Sequence, residues 1–194
     1  MICYTIGHSN HPFSYFVSLL TSHGVNCIID VRSSPYSYAA HFNREELWQK
    51  LEREQIDYVY LGNKVGGRYR DTQLLYPNGI VNYNKVREKN EYKEGIQRII
   101  DILLEGKVVS LMCSEKDPFD CHRFVLISYT LSKNGIDMFH ILDDGTIISN
   151  DVLEKRLIAK YGQKTLFDSF EVQKNEELEK LYEKRNLDIA YINP

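Results

Sequence analysis

The sequence predicts an α/β fold, a three-layer α/β/α arrangement around a mainly parallel, doubly wound sheet of about five strands. Two observations lead there. Short apolar or alternating runs of strand length repeatedly give way to amphipathic stretches of helical spacing. The run Val25-Asn26-Cys27-Ile28-Ile29-Asp30-Val31 is nearly continuous in apolar residues, the pattern of a parallel strand covered on both faces. With 194 residues, 43% hydrophobic and 26% charged, the chain fits one domain with an ordinary core.

Tyr4-Thr5-Ile6 reads as the first strand, broken by Gly7-His8-Ser9-Asn10. Pro12 suits the first turn of a helix over Phe13, Phe16, Val17 and Leu20, which His23-Gly24 closes, His23 being read as a solvated residue at the helix end. The second strand is the Val25 to Val31 run. Beyond Ser33-Ser34-Pro35, Asn43 with Glu46 three residues on predicts a capping box for a helix burying Leu47, Trp48 and Leu51. Ile56 to Leu61 alternates as a third strand and runs into the glycine-rich basic loop Gly62 to Arg70. Val86, Ile96, Ile99, Ile100, Leu103 and Leu104 predict one helical stretch between Tyr83 and Glu105, stopped by Gly106. Val108 to Cys113 is the fourth strand, Phe124 to Leu131 a helix, and Ile136 to Leu142 the fifth strand. Helices over Asp151 to Tyr161 and Glu171 to Arg185 read as peripheral. Residues 1–168 are expected to form the main α/β unit, and 169–194 a charged extension, a helix and an edge strand rather than a separate domain.

Basic residues number 24 against 27 acidic ones, a net charge of -3, which excludes the global positive field of a non-specific nucleic-acid binder. No apolar run approaches the roughly 18 residues of a membrane span. The N-terminus reads as a strand rather than a leader, so a cytoplasmic location is expected, and four cysteines there read as reduced thiols. Cys3 and Cys27 lie within strands and read as core. Neither a dinucleotide glycine fingerprint nor a Walker lysine pattern is present, which disfavours nicotinamide and triphosphate sites.

Ligands of open α/β sheets sit beyond the carboxyl ends of the strands. Polar residues gather there: Gly7-His8-Ser9, Asp30-Val31-Arg32, Lys64 and Arg68, Cys113-Ser114-Glu115-Lys116, then His140 and Asp143. The densest segment runs from Met112 to Arg123, and three chemistries fit it. Cys113, Cys121 and His122 are ligands suited to zinc or iron, with His8 or Asp30 able to complete a site. Either thiol is also a candidate nucleophile, Cys121 by its helix-start position and Cys113 by its strand end. Ser9, Arg32, Lys64, Arg68, Lys116 and Arg123 are candidates to hold an anion. His8, His122, Asp30 and Glu115 are the candidate proton carriers. The bland readings stand beside these: Arg32 and Arg123 pairing with Asp30, Asp117 or Asp120, and His122 bonding its own turn. Among the 14 tyrosines, those near the basic loops either stack on bases or pack on the sheet.

Tyr4-Thr5-Ile6-Gly7-His8-Ser9, Asp30-Val31-Arg32-Ser33-Ser34-Pro35, Gly66-Gly67-Arg68, the stretch from Cys113 through Glu115-Lys116-Asp117-Pro118 to Cys121-His122-Arg123, and His140-Ile141-Leu142-Asp143-Asp144-Gly145 occur in that order. Together they resemble the domain-of-unknown-function 488 family over residues 2–168, including the Leu166-Phe167 pair. The resemblance implies a site rather than a reaction, at Gly7, His8, Ser9, Asp30, Arg32, Pro35, Gly67, Arg68, Cys113, Glu115, Lys116, Cys121, His122 and Arg123. Tyr38 departs from the basic residue expected after the Pro-x-Ser segment, which weakens part of any phosphate contact. The expected function is an enzyme, Cys-dependent or metal-assisted, binding a nucleotide, nucleic-acid end or phosphorylated metabolite. A non-catalytic nucleic-acid-binding module and a purely structural zinc or iron site are the alternatives, and a sheet edge or the tail helix offers a homodimer surface.

Overall fold

Strand side chains that alternate between two apolar layers organise the molecule, for which a computed structural model describes residues 1–162 and 171–193. Six strands line up in the order β3-β2-β4-β1-β5-β6: β1 (Ile2–Gly7), β2 (Cys27–Asp30), β3 (Asp57–Tyr60), β4 (Val109–Cys113), β5 (Asp137–Ile141) and β6 (Ile147–Ser149). All neighbours are parallel except β5 and β6. Helices α1 (Phe13–Thr21) and α2 (Arg44–Arg53) cover one face, packing Phe16, Leu20, Leu47 and Leu51 on Ile6, Ile28 and Met112. The other face carries α3 (Gly62–Val65), α4 (Tyr83–Glu88), α5 (Asn90–Leu104), a π-helical turn at Arg123–Ser128 leading into α6 (Tyr129–Lys133), α7 (Asn150–Tyr161) and α8 (Glu171–Ile189). There Ile99, Phe124, Leu157 and Leu181 meet Ile29 and Leu111. The fold is thus the three-layer α/β arrangement that the strand and helix alternation predicts. No helix among the described residues is long and apolar enough to cross a membrane.

Several local expectations change. Among the described residues the sheet has six strands rather than five, because the three-residue β6, a hairpin return after Gly145, is too short to show a period of its own. The single helix expected between Tyr83 and Glu105 is two, separated at Lys89, whose ψ of 137° is extended. The loop after β3 begins with the helical turn α3. Asn43 precedes α2 but its side chain caps no helical amide; Oδ1 accepts from the Ser37 amide at 2.8 Å instead. His23 is not simply solvated, since its Nε2 donates to the Gly145 carbonyl at 3.0 Å. α7 and α8 are not peripheral: they bury Leu153, Leu157, Leu181 and Tyr182. Past α8, Ile192 makes an isolated bridge to Ile80 rather than an edge strand of the sheet. Leu166, Phe167 and the expected 168/169 boundary lie outside the described residues.

β4 lies between β1 and β2, yet the chain leaves it toward the face opposite to α1 and α2. Its carboxyl end is therefore a topological switch point, where neighbouring connections diverge and leave a crevice.

Candidate metal centre and anion pocket

The crevice is built from the β4 end outward. Gly7 is in register with Cys113, and the ladder continues past it: the His8 amide donates to the Cys113 carbonyl at 2.9 Å and the Ser9 amide to the Ser114 carbonyl at 3.1 Å. Only glycine fits at position 7, because a Cβ there would lie 2.0 Å from the Glu115 carbonyl oxygen. Asp117 then turns the chain, accepting from the Phe119 amide at 2.9 Å while Arg156 holds both its carboxylate oxygens. Arg123 is fully buried and its guanidinium donates to the carbonyls of Glu115 (2.7 Å) and Lys116 (3.1 Å). That clamp folds the loop back, so Cys121 and His122 return to Cys113.

Glu115 Oε2 lies 2.8 Å from Cys113 Sγ and 3.0 Å from Cys121 Sγ, within hydrogen-bond reach of both, and both sulfurs lie 3.7 Å from His122 Nδ1. His122 Nε2 is 3.0 Å from the Val31 carbonyl. A carbonyl only accepts, so Nε2 carries the proton and Nδ1 is left facing both sulfurs, able to take a thiol proton or to bind a metal. The Arg123 amide donates to Cys121 Sγ at 3.4 Å. Gly67 presses on the imidazole, where an added Cβ would come within 2.8 Å of His122 Cγ.

These contacts polarise the cluster. Burial pushes the Cys113 thiol well up, and the sulfur of Cys121 adds to the effect. Burial also opposes ionisation of Cys121, but the Cys113 hydrogen bond and the positive charges of Arg123 and His122 outweigh it and hold this thiol well below its usual range. His122 is raised despite burial because Cys121 stabilises its cation, and burial raises Glu115.

Two sulfurs, one imidazole nitrogen and one carboxylate oxygen lie within 4.8 Å of one another. The donor set is one that zinc or ferrous iron accepts, and bonds of about 2.3 Å to sulfur and 2.0 Å to nitrogen imply S to N spacings of about 3.5 Å across a tetrahedron. The 3.7 Å spacings fit; Glu115 Oε2, at 2.8 and 3.0 Å from the sulfurs, sits at hydrogen-bond distance and would move outward by about 0.5 Å to become a fourth ligand. The Val31 carbonyl behind the imidazole is the kind of partner that orients a metal-binding histidine. All four cysteines are free and buried.

His8 and Asp30 do not join this group; they fix Arg32. Arg32 (2% exposed) donates from Nε to Asp30 Oδ1 at 2.9 Å and from Nη2 to Oδ2 at 2.6 Å, with Asp30 fully buried. Tyr58 donates its hydroxyl to the same carboxylate at 2.7 Å. Arg32 Nη1 lies 3.1 Å from His8 Nε2, and since arginine only donates, the His8 proton is on Nδ1, which donates to the Ser9 carbonyl at 2.8 Å. Burial first, then the Arg32 charge, lowers the His8 pKa to about 4.

A cavity of about 250 Å³ is lined by residues of both constellations, Arg32 with Ser33, Ser34 and Arg68, and Cys113 with Glu115 and His122. The remaining candidates lie elsewhere. Lys64 pairs with Glu94 at 2.6 Å and Lys116 with Asp143 at 2.5 Å. Ser9 takes a left-handed φ of 47° and is tied to the Ser114 carbonyl. His140 is buried between Thr5 and Asn150. Sequence reasoning did not single out Ser33, Ser34 and Tyr191 as pocket residues. The serines directly follow Arg32 and were open to notice; Tyr191 is brought in from beyond α8 and carries no local signal.

A family model described as domain of unknown function DUF488 matches residues 13–130. No curated protein matches the chain. No solved structure matches it either. The matched span takes in more than half of the chain together with all four members of the Cys/Glu/His cluster, and the protein therefore belongs to the DUF488 family.

Proposed function

We propose that this protein is a metal-dependent enzyme acting on an anionic substrate at the carboxyl edge of its sheet, with zinc or iron held by Cys113, Cys121, His122 and Glu115. The observation that carries this reading is the convergence of four ligand atoms of the right chemistry around a histidine whose far nitrogen is already engaged. Such an ion supplies Lewis acidity beside the cavity. The chain does the rest: the Val31 carbonyl orients His122, the Arg123 amide supports the Cys121 sulfur, and Arg32 and Arg68 face an anion's charge. Four free thiols suit a reducing cytoplasm.

Elemental analysis of tag-free protein, purified under reducing conditions without chelator, tests the proposal. Near-stoichiometric zinc or iron that disappears in Cys113→Ser and Cys121→Ser supports it. A metal-free wild type sinks it in favour of a second reading, a Cys121 nucleophile paired with His122, which the 3.7 Å contact and the Arg123 amide favour. A metal whose removal only unfolds the protein makes the site structural. The nucleic-acid-binding alternative has weaker support, since Lys64 and Lys116 are engaged by acids; steep loss of oligonucleotide affinity with salt is its signature.

A further inference from the structure

Arg32 is a buried cation with free donors. Of the five N–H groups of a guanidinium, three meet Asp30 and His8, and the other two have no partner among the described residues. Arg185, also buried, likewise engages three donors, with the Phe119 carbonyl, Asp120 and Tyr161, but it is not among the residues that line the cavity. Arg123 also leaves a donor free but does not line this cavity, whereas Arg32 borders it together with Cys113 and His122. Asp30, itself held by Tyr58, fixes the plane of the Arg32 fork in advance, so no rotamer freedom is lost when a ligand arrives.

The second cation is Arg68, exposed and without an acidic partner among the described residues, its guanidinium 5.4 Å from the Tyr191 ring. Its amide donates to Ser33 Oγ at 3.0 Å, which leaves the Ser33 hydroxyl proton free to donate to a ligand. Asp120, also at the wall, is taken up by Arg185. The cavity, about 250 Å³, is smaller than the roughly 300–1,000 Å³ that encloses drug-sized ligands, a size that suits a compact anion.

From this arrangement we infer that the substrate of the proposed metal site is a small oxyanion, a compact molecule whose carboxylate or phosphate group is received by Arg32, with Ser33 and Arg68 completing the subsite. The inference rests on the metal-enzyme reading for the chemistry beside the anion, but the anion subsite itself is made of different residues.

Isothermal titration of the protein as purified, with inorganic phosphate and with malonate as probes and a short single-stranded oligonucleotide for comparison, tests it, with metal content measured on every sample. At least one small probe is expected to bind. Arg32→Lys keeps a charge opposite Asp30 but loses the planar fork, and Arg68→Gln is an exposed change; each is expected to weaken binding about tenfold or more. In the wild type, the Arg32 guanidinium ¹⁵N resonances are expected to shift on saturation with the probe that binds. Failure of both probes to bind a metal-replete wild type overturns the inference while leaving the metal reading in place, as do variants that bind like wild type or Arg32 signals that stay fixed. Oligonucleotide binding without small-probe binding overturns it in favour of a nucleic-acid ligand. Anion binding by a protein that carries no metal leaves the subsite standing and overturns the metal reading alone.

Discussion

His122 donates its Nε2 proton to the carbonyl of Val31, 3.0 Å away, so the residue just past β2 decides which nitrogen meets the sulfurs of Cys113, at the end of β4, and Cys121, in the loop beyond it. The Val31 amide in turn donates to the Met112 carbonyl at 3.1 Å, which ties this orientation to β4 itself. The cluster is held by the sheet as well as by its own loop.

Gly67→Ala places a methyl 2.8 Å from His122 Cγ and 2.9 Å from its Cβ. The imidazole must shift, and displacement of a supported ligand of this kind costs about 10–100-fold in metal affinity. Competition with a chromophoric chelator measures the loss, and unchanged affinity counts against His122 as a ligand.

Arg123→Met keeps most of the buried bulk but removes the donors that hold the Glu115 and Lys116 carbonyls. Losing two charge-assisted bonds donated by a buried guanidinium is expected to cost roughly 2–4 kcal/mol, read from urea unfolding. Metal content should fall with it, because the loop that returns Cys121 to Cys113 is released.

Asp30→Asn strands the buried Arg32 charge. Removing one partner of a buried ion pair costs about 3–5 kcal/mol, and an Asp30→Asn/Arg32→Met double variant should recover part of that loss. A double-mutant cycle by chemical denaturation gives the comparison; strictly additive losses would argue that the pair does not act as a unit.

Stability should fall as pH drops from neutrality toward 4. His8 has a folded pKa of about 4 and His140 about 3, both depressed chiefly by burial, against an ordinary value near 6.5. Below that ordinary value the unfolded chain binds protons that the fold refuses, so stability is complete above about pH 6.5 and declines below it, by at most about 1.4 kcal/mol per pH unit for each histidine. Denaturation midpoints between pH 7 and 4.5 check this, and His8→Gln should flatten part of the slope.

The alternation of strands and helices was legible because a parallel strand covered on both faces, such as Cys27–Asp30, must be apolar almost throughout. The same logic marked the strand ends, and Cys113, Cys121 and His122 stand out in one short segment. Tertiary structure alone decided the rest. It inserted β4 between β1 and β2, turned Glu115 onto both sulfurs, gave Lys64 and Lys116 to Glu94 and Asp143, and brought Tyr191 to the cavity wall. Local periodicity reports which face of an element is buried; which charge meets which carboxylate depends on distances across the fold between residues far apart in the chain, and no neighbouring residue records them.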